Sequence, residues 1–133
     1  MDKKSIPITD QSAIINARKI GRETAKQMGF GLADQTRLAT AISEIARNAF
    51  QYAREAVCII LKHEDSHEKR ITIIVEDKGP GIKDINKAMQ DGYTTGKGLG
   101  AGLPGSKRLM HNFHIESSPE GTRVTMSMSI RLF

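Results

Sequence analysis

Four groups of residues have types and spacings that could do chemistry. Glu44 and Asn48 lie four apart in "SEIARNAF", which on a helix puts a carboxylate and an amide on one face, a turn from each other. Asp77 closes the apolar run "RITIIVED" and is followed at once by the turn residues "KGPGI". Alternation along that run sets Asp77 on the same side as Ile71, Ile73 and Val75, and a carboxylate on the covered side of a strand needs a hydrogen-bond donor. The stretch "TTGKGLGAGLPGSKR" carries five glycines between Gly96 and Gly105, the composition of a loop whose backbone amides can meet phosphate at the start of a helix. Finally, Gly121 and Thr122 open the last apolar run, where parity places Thr122 with Val124 and Met126.

The glycine loop has two familiar readings, and both fail on context. Gly100, Gly102 and Gly105 spell G-x-G-x-x-G, but a dinucleotide fingerprint must follow a buried strand inside a βαβ unit. The preceding "GYTTGKGL" cannot be a buried strand, and Glu120, some twenty residues on, falls in a turn. A Walker A loop needs Lys then Ser or Thr after its last glycine, whereas Gly105 is followed by Ser106 and Lys107 in the reverse order.

These residues must be positioned by elements that the pattern predicts in order. "SIPIT" is a short strand, and Asp10 caps a helix over Gln11 to Met28 whose apolar face is Ile14, Ala17, Gly21, Ala25 and Met28, stopped by Gly29. A second helix, about Asp34 to Ala53, buries Leu38, Ala41, Ile42, Ile45, Ala49 and Ala53. "AVCIILKHE" and "RITIIVED" form a hairpin, "KDINKAMQDG" a short helix, and "LPGSKRLMHNF" a further helix with Pro104 in its first turn. "HIESS", a "PEG" turn and "TRVTMSMSIRLF" form a second hairpin, and the last strand alternates with period two, so one face is covered and one is wet. The fold class is α+β: a two-layer α/β sandwich with a mixed, mostly antiparallel sheet and helices on one face.

Composition narrows the function. A chain of 133 residues is enough for one domain, 1–133, around a single core. No apolar run approaches the ~18 residues of a membrane span, and "MDKKSIPITD" lacks an apolar leader core, so the expected location is the cytoplasm. The net charge of +5 comes from scattered cations, and with only 5% aromatic residues a base-stacking platform is poorly supported, so no nucleic-acid partner is expected. Cys58, alone in "AVCIIL", reads as a buried strand residue.

The order "EIARN", "DKGPG", "GLGAGL", "GT" resembles the ATP site of the gyrase, Hsp90-type chaperone, histidine kinase and MutL superfamily, whose fold is the Bergerat-type sandwich. The resemblance implies ATP and Mg2+ as cofactors. It implies that Asp77 accepts from the adenine amine, that Gly79 and Gly81 let the backbone approach the purine, and that Thr122 supports the adenine contact. Asn48 becomes the magnesium ligand, Glu44 the group that polarises the attacking nucleophile, and Lys97, Gly98, Gly100, Gly102 and Leu103 the lid end and phosphate side. Read without the resemblance, Glu44 is a solvated helix-face carboxylate paired with a neighbour, Asp77 a turn cap and Thr122 a strand-edge hydroxyl. Gyrase, Hsp90 and MutL types need a second domain, and none of His63, His67, His111 and His114 sits in a phosphoacceptor helix. Within the remaining branch, "TAISEIARNAFQYA", "EDKGPGI" and "GLGAGLPGSKRLM" resemble the T-type serine/threonine kinases of the stressosome, with the lid reduced to "DGYTTGK". The implied activity is transfer of the ATP γ-phosphate to a serine or threonine of STAS-domain partners in a partner-switching stress response, with activation of a PP2C-type phosphatase by the released kinase. The alternatives are an ATP-binding anti-sigma factor kinase and a non-catalytic ATP-dependent binding module.

Overall fold

A computed structural model describes residues 2–81, Met89 and residues 102–132 of the chain. The elements run β1 (Asp2–Ile8), α1 (Gln11–Met28), α2 (Leu32–Ala53), β2 (Ala56–Glu64), β3 (Glu68–Asp77), α3 (Gly102–Leu109), β4 (Asn112–Ser118) and β5 (Gly121–Arg131). The five strands form one sheet in the order β1-β2-β3-β5-β4. Every pairing is antiparallel, which settles the sheet left as mixed by the sequence.

Local chemistry fixes the helices. Asp10 Oδ1 accepts from the Ala13 N–H at 2.8 Å and caps α1. Gly29 ends it at φ 97°, with Phe30 N donating to Ala25 O at 3.0 Å, the paired closure of a helix that stops on a left-handed residue. α2 starts at Leu32, two residues before the expected Asp34, because Gly31 occupies the cap position and Asp34 lies in the first turn. Its far end is held by Arg54 at φ 61°, whose N–H reaches Phe50 O at 2.8 Å. A side chain in that conformation costs roughly 1–2 kcal/mol relative to glycine.

The helix expected over Leu103 to Phe113 is shorter, Gly102–Leu109. Sheet pairing claims the rest: Asn112 and Phe113 lie opposite Ser127 and Met126, while His111 donates its N–H to Ser127 O and accepts from Ser129 N at Nδ1. The short helix expected in "KDINKAMQDG" lies outside the described residues apart from Met89.

The core lies between the helices and one sheet face. Ile71, Ile73, Val75, Val124, Met126 and Met128 meet Leu38, Ile42 and Ile45 of α2, all buried. α2 packs against α1, α3 and the sheet at once, so it is the internal strut of the domain. The opposite face is less wet than alternation predicts. Ile74 points there and is buried, since it lies between Ile59 and Thr125 in register. Cys58 is in the core, and burial pushes its thiol up to about 12; it is packing, not a reactive group.

The β2–β3 turn depends on Asp65. Its carboxylate is drawn from the usual 3.8 down to about 2, chiefly by the backbone N–H of His67 at 2.7 Å and then that of Glu68 at 2.9 Å, with His63 alongside. The folded value lies below the unfolded one, so this turn stabilises the fold above the unfolded value and loses that contribution as pH falls toward 2. In acid titration followed by circular dichroism, the wild type is expected to lose stability through this window more steeply than Asp65→Asn. Parallel curves would show that the turn contributes nothing there.

Candidate functional site

A narrow, largely apolar cleft opens where α2 faces the ends of β3, β5 and β4. Ile45 and Ala49 of α2 form one wall, Val75, Val124 and Ile115 of the sheet the other, and Leu103 of α3 closes it. Its polar groups are Asn48, Asp77 and Thr122, with Tyr52 and Gly81 at the margin. A slot with apolar walls and a few fixed polar atoms suits a flat heterocycle whose edge carries hydrogen-bonding groups.

The polar end is built by strand register. Asp77 of β3 lies opposite Thr122 of β5, which lies opposite Ser117 of β4. The three side chains therefore stand in one row on the helix-covered side of the sheet. The Ser117 and Thr122 hydroxyls share a 2.8 Å hydrogen bond. Asp77 Oδ1 accepts from the Gly79 N–H at 2.9 Å, which folds the chain back at the strand end. Among the described residues the second carboxylate oxygen of Asp77 has no partner. Gly81, at φ 80°, presses the loop onto β4: a Cβ there would lie 2.1 Å from Ser118 O.

Two groups on α2 face the same region. Asn48 lines the cleft, and its carboxamide makes no hydrogen bond among the described residues. Glu44 is buried, with its carboxylate accepting from Arg47 Nη1 at 3.1 Å, while Arg47 itself is largely exposed. Glu44 is thus neither solvated nor part of the cleft lining; it stands one turn from Asn48 on α2.

The structure gathers Asn48, Asp77, Gly81, Leu103 and Thr122 around one cleft. Gly79 sits beside it, close against Ala53, where a Cβ would come within 2.8 Å of the Ala53 methyl. Gly102 opens α3. Lys97, Gly98 and Gly100 lie outside the described residues. Ser117 was missed by sequence reasoning, although parity with Ile115 in "HIESS" already placed it on the covered side. Tyr52 was missed too; it follows Asn48 by four on the helix.

A match to the model of the histidine kinase-, DNA gyrase B-, and HSP90-like ATPases spans residues 33–132. The chain belongs to that ATPase family. It is 48% identical, over 92% of its own length and 93% of the relative's, to the serine/threonine-protein kinase RsbT of Bacillus subtilis (strain 168). It is 33% identical to the anti-sigma F factor of Caldanaerobacter subterraneus subsp. tengcongensis over 86% of this chain and 83% of that one. Its fold superposes with a TM-score of 0.67 on the solved RsbU and RsbW domains of Rv1364c from Mycobacterium tuberculosis, at 19% identity, covering 98% of this chain and 33% of that one. The resemblance to the T-type kinases thus runs along nearly the whole chain, and the enzyme class is protein serine/threonine kinase. No helix among the described residues is long and apolar enough to cross a membrane.

Proposed function

We propose that this cytoplasmic kinase transfers the γ-phosphate of ATP to a serine or threonine of a STAS-domain scaffold or antagonist protein in a stressosome-type partner-switching pathway. Freed from that scaffold, it engages and activates a PP2C-type phosphatase. The observation that carries the reading is the in-register row of Asp77, Thr122 and Ser117 closing an apolar slot beside Asn48, in a chain related end to end to a serine/threonine-protein kinase.

In this reading the second carboxylate oxygen of Asp77, without a partner among the described residues, accepts from the adenine exocyclic amine. Thr122, held by Ser117, supports the neighbouring ring nitrogen, and Gly79 and Gly81 allow the backbone to lie close to the base. Asn48 supports the reading for Mg2+, because a cleft-lining carboxamide with no hydrogen bond among the described residues offers the kind of single oxygen ligand this ion takes. When bound, the ion offsets charge on the phosphates. Gly102 at the start of α3, with Gly98, Gly100, Lys97 and Leu103, makes up the phosphate side. For Glu44, buried one turn from Asn48, the reading keeps the role of polarising the attacking hydroxyl. Catalysis is then mainly positioning and charge neutralisation.

The test is γ-labelled ATP with Mg2+ and purified STAS-domain proteins. Label is expected in phosphoserine or phosphothreonine of one of them. If ATP binds but no STAS protein is labelled, and a sigma factor is captured instead, the anti-sigma alternative replaces this one.

A further inference from the structure

On an adjoining flank of α2 lies a separate groove that shares no lining residue with the nucleotide cleft. Arg47, Gln51 and Arg54, at i, i+4 and i+7 on α2, line it from one helix and Ile14 and Ile15 of α1 from the other, with Phe50 also in the lining. Ile15 is 57% exposed although it is large and apolar. Two guanidinium groups border the groove, and among the described residues no carboxylate lines it. Arg54 is also the one non-glycine residue at positive φ among the described residues. It occupies a helix-stop position that favours glycine, so its side chain sits there at a conformational cost. The groove adjoins the chemistry through one residue: Arg47 lines it and holds Glu44 at 3.1 Å.

We propose that this groove docks the protein substrate through an acidic segment with an apolar side chain. Its carboxylates would face Arg54 and Arg47, and its apolar residue would cover Ile15 and Phe50. This rests on the kinase reading above and adds to it the surface that brings the acceptor hydroxyl to Glu44. Two like charges beside an exposed apolar residue complement an acidic, partly apolar segment and repel a basic one. Seated on α2, such a segment lies one helical turn from Glu44 and Asn48, so docking positions the hydroxyl without occupying the nucleotide cleft.

The experiment measures labelled phosphate transfer and direct binding by titration calorimetry, using the STAS protein that accepts label from the wild type. Arg54→Glu and Ile15→Asp are expected to raise the substrate KM at least tenfold, with ATP-analogue affinity unchanged and kcat at saturation held within twofold. Arg54→Gly keeps the backbone conformation without strain, so it separates docking from folding: it is expected to match or exceed the wild-type thermal midpoint and still raise KM. Unchanged KM in all three folded variants overturns the proposal. So does loss of a self-associated form in sedimentation, or of RNA binding, with KM unmoved, since the groove would then serve a second copy or nucleic acid. If the wild type labels no STAS protein at all, the kinase reading itself fails, which is a different result.

Discussion

Asp77→Asn is expected to remove ATP binding and phosphotransfer together while leaving the fold intact. Asp77 Oδ1 already accepts from the Gly79 N–H at 2.9 Å. An asparagine can keep that bond with its amide oxygen, so the turn survives and the stability change stays within about 0.5 kcal/mol. The amide NH2 then takes the place of the second carboxylate oxygen, and in the proposed pose a donor would face the adenine amine, another donor. Losing a hydrogen bond to a charged acceptor costs about 1.5–3 kcal/mol, and a stranded donor costs about 1–3 kcal/mol more. Together these weaken binding on the order of a hundredfold or beyond. Calorimetric titration with a non-hydrolysable ATP analogue, beside a thermal melt, checks both halves. Undiminished affinity in a folded variant would remove Asp77 from the adenine site. Thr122→Val should cost less, about 1 kcal/mol, because it deletes a neutral hydroxyl whose partner, Ser117, remains at the slot's rim.

Much of this arrangement was legible because period-two and period-3.6 patterns are physical statements about burial. Parity alone put Asp77 and Thr122 on the covered face, and the register that pairs them directly follows once β3 and β5 are neighbours. That neighbourhood was not legible. Sequence order suggests β4 beside β3, but β5 inserts between them. β5 is the longer strand and buries Val124, Met126, Ser127 and Met128, while no residue of β4 is fully buried, so the more apolar strand takes the centre. Ser117 was overlooked for the same reason, since its role exists only through pairing with Thr122. The end of α3 was misplaced because helix periodicity in "RLMHNF" competes with strand pairing, and a tertiary contact decided it. For Glu44, helix geometry gave the neighbour at the right spacing, but burial of its carboxylate depends on what packs over α2, which no local pattern encodes.

Gly121→Ala carries the largest expected effect on stability, and it ties the fold to the site. Gly121 sits at φ 154°, and a Cβ there would lie 2.1 Å from the carbonyl oxygen of Asp77. The obstacle is backbone, so no rotamer change relieves it. Overpacking of this kind costs about 1–3 kcal/mol, and holding a side chain at positive φ adds about 1–3 kcal/mol. The sum corresponds to a fall in thermal midpoint of roughly 10 °C or more. Gly29→Ala is the matched control: its φ is 97°, but nothing lies within 4 Å of the added methyl. It therefore bears the conformational cost alone, about 1–2 kcal/mol, and the difference between the two variants isolates the clash. The two should also differ in function. Relief of the Gly121 clash must push the end of β3 away from β5, displacing the Asp77 carboxylate from Thr122, so ATP-analogue affinity falls with stability. Gly29 lies at the far end of α1 from that row, so Gly29→Ala should lose stability and keep its affinity. Equal midpoints for the two variants would mean that the β3–β5 junction yields easily, and the Asp77–Thr122 end of the slot would then be a compliant contact rather than a fixed one.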